Sequence, residues 1–161
     1  MALAKKNGGL NKATASLYER DFYSWALEQE RALLEHRVED LDWENLADEV
    51  GDLARSERRA LRSQCARLIE HLLKLAFAPP QAVKRNQRLW EVTIRGARRE
   101  IRGLLAESPG LKPSAQEGFE GAWLLGRDEA LKVLHLPDEA IPETPLWSFE
   151  QAMEDTFNPA K

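Results

Sequence analysis

The chain contains a single cysteine, Cys65, and no long apolar run. One thiol cannot form an intramolecular disulfide and cannot hold a structural zinc ion by itself. No stretch approaches the roughly 20 apolar residues that cross a bilayer, and residues 1–10 carry two lysines with no apolar segment behind them. We therefore expect neither a membrane span nor a secretory signal, and we predict a cytoplasmic protein.

Signatures of catalysis are scarce as well. The sequence has no glycine-rich phosphate loop, no nucleophile elbow and no HExxH motif. It also lacks the Glu-x-x-His pair with which carboxylate-bridged helical bundles hold metal ions. We therefore predict no catalytic residue, no metal ligand and no cofactor.

The charge is distributed in blocks. The 161 residues are 43% apolar and 31% charged, with a net charge of −4, a composition that supports a folded core in one domain. Residues 1–15 carry +3, residues 16–53 carry −9, residues 54–102 carry +9 and residues 103–161 carry −7. The basic block either folds against its acidic flanks or faces an anionic partner.

The first predicted helix begins with a capping box at Ser16 and Glu19 and ends near Glu35. Helical spacing predicts an inward face made by four residues, namely Tyr18, Phe22, Trp25 and Leu33. Residues 1–15 are predicted to form a flexible tail.

The second predicted helix begins at an N-cap, Asp42, and ends before Pro79 and Pro80. Its apolar residues recur at intervals of three and four and predict one buried stripe, made of Leu46, Val50, Leu53, Leu61, Cys65, Leu68, Leu72 and Leu75. The interval between Asp42 and Ala78 fits either one long helix or two helices.

Two further helices and a short helical turn complete the prediction. The third helix is capped at Asn86 and ends near Ser108, and the fourth runs from about Pro113 to His135. Residues 137–161 are predicted to be extended and proline-rich, with a helical turn capped by Ser148. Since no segment shows strand alternation, the fold class is all-α: a single-domain bundle of four to five main helices over residues 16–136, with a short C-terminal helical turn.

Three polar residues, Glu57, Gln64 and His71, recur every seven residues within the apolar stripe. A buried polar seam of this kind fixes helix register when its groups are hydrogen-bonded. In a catalytic interpretation, Glu57 is an acid or base and His71 a ligand or proton carrier. Residues seven apart lie about 10.5 Å apart along a helix, too far to share one metal ion.

Two charged patterns are candidate binding faces. Arginines cluster on one side of each of two helices, and the candidate anion-binding face comprises Arg55, Arg58, Arg59, Arg62, Arg88, Arg95, Arg99 and Arg102. An acidic stripe of Glu44, Asp48 and Asp52, with Glu49 beside it, fits either a hard cation or a solvated helix start. No aromatic residue lies among the arginines to stack on a base.

The order of the motifs resembles a known family. The blocks are YERDFYSW from Tyr18, LDWENLADEV from Leu41, RSERR from Arg55, HLLK from His71, WEVTI from Trp90, and PETPLW from Pro142 followed by FEQ from Phe149. Together they resemble the bacterial family catalogued as domain of unknown function 29. Ala54 and Leu89 depart from a glycine and a serine usual there. The resemblance implies a small, helical, bacterial protein and carries no catalytic residues to transfer.

These observations predict a non-enzymatic helical-bundle module that binds a macromolecule. The partner is a protein, either another protein or a second copy of the chain in a homo-oligomer. One alternative is nucleic-acid binding through the arginine faces of residues 55–62 and 88–102. The other is a metal-dependent enzyme that uses Glu57 and His71 or the acidic stripe.

Overall fold

The computed structural model describes residues 17–159, and all regular structure in that range is helical. The predicted all-α helical bundle is therefore confirmed. After a helical turn at residues 17–20, the α-helices are α1 (Phe22–Leu34), α2 (Trp43–Phe77), α3 (Pro80–Glu107), α4 (Lys112–Glu117), α5 (Phe119–Leu134) and α6 (Phe149–Met153). Short 3₁₀ turns span Val38–Asp40, Pro109–Leu111 and Asp138–Ala140. None of these helices combines the length and the apolar character needed to span a membrane.

The chain divides into two compact units, with the boundary between Arg55 and Ser56. Unit 1 contains α1 and the beginning of α2, and unit 2 contains the remainder of α2 and all later helices. The predicted tail over residues 1–15, and the predicted cap Ser16, lie outside the described residues.

The first helix begins later than predicted. Residues 17–20 are helical, but the helix is interrupted at Asp21, which takes φ −150° and becomes the N-cap of α1. Its carboxylate accepts hydrogen bonds from the Ser24 backbone N–H (3.1 Å) and the Ser24 hydroxyl (2.5 Å). An Asp side chain satisfies the free N–H groups of a helix start well, which explains the new beginning inside the predicted helix.

The second helix is one continuous α-helix of 35 residues. At about 1.5 Å per residue it is about 52 Å long. Asp42 caps it as predicted, because its carboxylate accepts from the Asn45 N–H at 3.4 Å. The predicted stripe is buried from Leu61 to Leu75, but its prediction is wrong at Val50 and Leu53, which are 65% and 70% exposed.

Unit 2 holds the main apolar core. Side chains from α2, α3 and α5 form it, including Leu68, Leu72, Ile101 and Trp123. Gly126 lies where α5 meets α2: a Cβ there would be 2.6 Å from the Ala66 carbonyl oxygen. The close approach of these two helices therefore requires a glycine at position 126.

Two helix bounds in unit 2 differ from the prediction. The third helix begins at Pro80 and not at Asn86, whose amide instead donates to the Ala82 carbonyl (2.9 Å) inside α3. Proline fits the first turn of a helix, so the Pro79–Pro80 pair ends one helix and begins the next. The predicted fourth helix is divided at Gly118 into α4 and α5.

Helix α6, in the C-terminal part of unit 2, has the predicted cap. The Ser148 hydroxyl accepts from the Gln151 N–H at 3.2 Å, while the Gln151 side chain accepts from the Ser148 N–H at 3.0 Å. This reciprocal capping box stabilises a helix of only five residues.

Candidate interaction surfaces

The predicted polar seam is not a buried cluster. Glu57 is exposed, and its carboxylate accepts a hydrogen bond from the Ser108 hydroxyl at 3.3 Å. The prediction that Glu57 is buried is therefore wrong. Gln64 and His71 are half-buried. The Gln64 Oε1 is buried without a hydrogen-bond partner among the described residues. The seam fails at Glu57 because the side of α2 that carries it stays in solvent along that stretch.

His71 has a defined tautomer. Its Nδ1 lies 2.9 Å from the Arg67 carbonyl oxygen, and since a carbonyl only accepts, Nδ1 carries the hydrogen. Burial lowers the pKa of His71 below its usual 6.5, and the Lys74 ammonium lowers it further, whereas the Arg67 carbonyl and Glu70 act in the opposite direction.

The lowered pKa of His71 makes stability depend on pH. The unfolded chain binds this proton more tightly than the folded chain, so the contribution of His71 is complete above about pH 6.5 and is lost as the pH falls. Urea unfolding should therefore show that the free energy of unfolding falls more steeply on acidification in the wild type than in His71→Gln. Parallel pH profiles for the two proteins would contradict this assignment.

The acidic stripe is a solvated helix face. The Glu49 carboxylate accepts a hydrogen bond from the Tyr18 hydroxyl (2.7 Å). This hydrogen bond raises the pKa of Tyr18. Asp52 forms an ion pair with Arg55 at 2.7 Å. In the part of the chain that the structure describes, no group of three histidine, cysteine, aspartate or glutamate side chains is placed to hold a metal ion.

The single thiol is buried. Cys65 lies in the core of unit 2, and burial raises its pKa to about 12. A thiol in this environment stays protonated at neutral pH and is a weak nucleophile.

Two of the eight candidate arginines are bound within the chain. Arg55 pairs with Asp52, and its guanidinium also donates to the Asp48 carbonyl at 3.3 Å. Arg102 donates to the Met153 carbonyl (2.9 Å) and to the Asp155 carboxylate (2.8 Å). Both guanidinium groups therefore have partners within the chain.

The other candidate arginines point into solvent. The side chains of Arg58, Arg59, Arg62, Arg88 and Arg95 are exposed, and within residues 17–159 they form no ion pair. Arg99 lies 3.7 Å from Glu100, and both of these side chains are exposed. Within residues 17–159, these six arginines thus form no close ion pair with the acidic flanks.

Three arginines meet at one groove in unit 2. Arg67 of α2 and Arg95 and Arg99 of α3 line a cavity of about 530 Å³, together with Val92, Thr93, Gly96, Ala97 and Glu100. We call this cavity the arginine groove. Its floor is open at Gly96, where an added Cβ would meet no atom within 4 Å. Sequence reasoning placed Arg95 and Arg99 on one face but did not include Arg67.

Two buried arginines, Arg98 and Arg127, were also missed. The Arg98 guanidinium donates to three backbone carbonyls, those of Ala152 (2.9 Å), Asp155 (3.4 Å) and Phe157 (3.0 Å). Burial lowers the pKa of Arg98. The only sequence signal was an arginine on the apolar side of α3, next to Ala97 and Ile101.

Arg127 holds the segment before α6 in the same way. Its guanidinium donates to the backbone carbonyls of Ile141 (2.7 Å) and Asp138, and it pairs with the Asp138 carboxylate at 2.9 Å. The Trp123 indole N–H donates to the Pro142 carbonyl at 2.9 Å. Buried donors therefore fix the extended C-terminal segment against the helices of unit 2.

In unit 1, a polar network surrounds the buried Asp42. Its carboxylate accepts from the Trp25 indole N–H (3.2 Å) and from the Asn45 amide (2.7 Å). The Asp42 backbone N–H donates to the Gln29 side-chain oxygen at 2.7 Å. These bonds join α1 to the beginning of α2.

Comparison with known proteins gives one match. The family model described as Domain of unknown function DUF29 matches residues 17–158. The chain belongs to this family. Among curated proteins and among solved structures, no match was found. Membership confirms the resemblance carried by the motif blocks and assigns no reaction or ligand.

Residues of the DUF29 motif blocks make tertiary contacts within each unit. The first block supplies Trp25 and the second supplies Asp42, which hydrogen-bond to each other in unit 1. The closing block supplies Pro142, the acceptor for Trp123, and Trp147, whose ring lies 5.4 Å from that of Trp123. The blocks therefore hold the fold together where chain segments join.

Removing the Asp42 carboxylate should destabilise the DUF29 chain. Asp42→Ala deletes the N-cap of α2 and leaves the buried Trp25 N–H without an acceptor, so we expect a loss of about 2 kcal/mol in the free energy of unfolding. Asp42→Asn keeps an acceptor oxygen and should lose about half as much. Urea denaturation measures both; equal stability of Asp42→Ala and the wild type would contradict the role of the network.

Large apolar side chains remain exposed on unit 1. Of the fifteen exposed large hydrophobic residues in the described range, nine lie before Ser56, although this unit is the smaller one. We use the name exposed apolar face of unit 1 for this set of residues, which lie on α1, on the following 3₁₀ turn and at the beginning of α2: Phe22, Tyr23, Leu27, Leu33, Leu34, Val38, Trp43, Val50 and Leu53. A concentration of apolar side chains in solvent is typical of an interaction surface.

Proposed function

We propose that this chain is a non-enzymatic protein-binding module of the bacterial cytoplasm, and that the exposed apolar face of unit 1 is its binding surface. The observation that carries the proposal is the exposure of nine large apolar side chains on a unit of two helices. Burying such side chains against a partner contributes roughly 25 cal/mol for each Å² removed from water.

The distribution of residues on α1 supports this proposal. Only three residues of α1 are buried, namely Trp25, Gln29 and Ala32. At 100° per residue, Phe22 and Leu33 lie on one flank of that buried strip, and Tyr23, Leu27 and Leu34 lie further round in the same direction. Of the charged residues, Glu28, Arg31 and Glu35 occupy the remaining side, whereas Glu30 lies among these apolar residues. Apart from Glu30, the apolar residues of α1 therefore extend over a much wider arc than the buried strip.

The types of residue on this face also fit an interface. Tyr23 is 72% exposed and Trp43 is 61% exposed. Tyrosine and tryptophan are the residues that most often dominate the energetics of protein interfaces, because they bury large areas with few rotatable bonds.

The charge around the face indicates the kind of partner. Residues 17–55 contain twelve acidic and four basic residues, a net charge of −8. An acidic surface of this kind favours a partner whose apolar binding face is flanked by lysine or arginine, because complementary potentials steer the encounter and disfavour other partners.

Co-purification from the host followed by a binding measurement tests the proposal. The full chain is isolated with its stoichiometric partner, the partner is identified by mass spectrometry and purified, and its Kd is measured. We expect the double variant Leu27→Asp, Leu34→Asp to raise that Kd by at least about tenfold. Its helical content should be unchanged, because both side chains are in solvent.

The matched control is Glu28→Lys. Glu28 is an exposed residue on the charged side of α1, next to Leu27 in sequence, and this substitution should leave the Kd unchanged. A partner that binds the double variant as tightly as the wild type would contradict the proposed surface. So would a failure to find any stoichiometric protein, including a second copy of the chain.

A further inference from the structure

We infer that the partner of the exposed apolar face of unit 1 is a second copy of this chain, which it contacts at the arginine groove of unit 2. The inference rests on the proposed function and adds the identity of the occupant. Each such contact joins unit 1 of one copy to unit 2 of another.

Charge complementarity carries the inference. Unit 1 has a net charge of −8 over residues 17–55, and residues 56–102 of unit 2 contain twelve basic and four acidic residues, a net charge of +8. Glu30 is exposed among the apolar residues of α1, so the face presents a carboxylate at its centre. The chain thus carries an acidic segment in unit 1 and a basic segment in unit 2.

The arginine groove contains guanidinium groups that form no ion pair within residues 17–159. Arg67 and Arg95 form no ion pair with any residue in the range 17–159, and Arg99 has only the distant contact to Glu100. Guanidinium groups bind carboxylates in a planar, two-pronged geometry, and three of them around one groove attract an acidic helix strongly. The open floor at Gly96 allows a side chain to approach the backbone of α3 closely.

The surroundings of the groove favour a protein over a nucleic acid. Leu89 and Val92 of α3 are 63% and 50% exposed beside the arginines, so this surface is apolar as well as basic. No aromatic side chain lines the groove to stack on a base. The net charge of the whole chain is −4, which repels a polyanion at long range. An acidic, apolar helix fits these properties better than a phosphate backbone does.

Sedimentation equilibrium of the full chain with charge-reversal variants tests the inference. The wild type should have a mass above 18.3 kDa, increasing with concentration and decreasing with salt, because exposed charges are screened. Glu30→Arg and Arg95→Glu should each weaken association by about tenfold. A mixture of the two variants should restore it, because the intact Glu30 of one copy meets the intact Arg95 of the other.

Two controls match these charge changes. The controls are Glu28→Arg and Lys112→Glu. Glu28 lies on the charged side of α1, and Lys112 lies at the beginning of α4, outside the groove. Both should associate as the wild type does. Equal weakening by the controls, or a mixture that stays monomeric, would overturn the assignment of these two surfaces.

The remaining outcomes separate this inference from the proposed function. A wild type that is monomeric at every concentration, and whose binding to a different protein is lost in Leu27→Asp, Leu34→Asp, overturns the second-copy inference and leaves the proposed function intact. A monomer that binds no protein overturns both. Binding of labelled DNA or RNA at low salt that Arg95→Glu abolishes would assign the groove to phosphates and overturn the inference.

Discussion

Replacing Arg98 with methionine is expected to lower the free energy of unfolding by about 4 kcal/mol. The guanidinium donates to three backbone carbonyls, and methionine fills similar space without any donor. The Ala152 carbonyl would then remain buried without a partner, or the segment from Ala152 to Phe157 would leave the helices to reach water. Either result removes the attachment of the C-terminal segment.

Hydrogen exchange distinguishes this effect from general destabilisation. In Arg98→Met, amides of residues 149–158 should exchange faster than those of the α2 core, because local opening precedes global unfolding. The neighbouring Arg99→Met is the control, since Arg99 is exposed and donates to no backbone carbonyl in residues 17–159. Arg98→Lys should give an intermediate loss, as one ammonium cannot span three carbonyls. If the amides of residues 149–158 were equally protected in Arg98→Met and in the wild type, this role of Arg98 would be contradicted.

Replacing Gly126 with alanine is expected to cost about 3 kcal/mol, although alanine is the better helix former. The new Cβ would lie 2.6 Å from the Ala66 carbonyl oxygen and 3.0 Å from the Glu70 nitrogen, both backbone atoms of α2. Backbone cannot rotate away as a side chain can, so α5 and α2 would have to separate. That movement would loosen the core around Ile69 and Trp123.

Gly121→Ala is the matched control on the same helix. A Cβ at Gly121 would meet no atom within 4 Å, so this substitution should raise the free energy of unfolding by up to about 1 kcal/mol through helix propensity. Thermal and urea denaturation of both variants measure the difference. Two variants that shift stability in the same direction by similar amounts would show that α5 does not approach α2 as closely as the structure has it.

Much of the fold could be predicted from local signals. The spacing of Leu61, Leu68, Leu72 and Leu75 identified the buried side of α2, and the cap residues Asp42 and Ser148 marked two helix starts correctly. These signals are strong because each depends on residues within one or two helical turns. The start of α3 was missed because the Pro79–Pro80 pair also fits a helix end.

The candidate sites were harder to predict because burial depends on neighbours that are distant in sequence. Glu57 shares a helical register with Gln64, yet only Gln64 lies partly inside. Arg98 and Arg127 are buried because carbonyls of the C-terminal segment accept their hydrogen bonds. These partners are distant in sequence, so no local sequence pattern predicts them. Val50 and Leu53 continue the apolar pattern of α2 but stay in solvent.

Photo-crosslinking is the most direct test of the central claim, that the exposed apolar face of unit 1 binds a second copy of the chain. A photo-crosslinking amino acid is placed at position 27, within the exposed apolar face of unit 1, or at position 28, on the charged side of α1. After irradiation of the living host, the crosslinked fraction is measured and the adducts are identified. Our account predicts abundant protein adducts at position 27, joining two copies of the chain, and few at position 28. Equal yields at the two positions, or none at position 27, would contradict it.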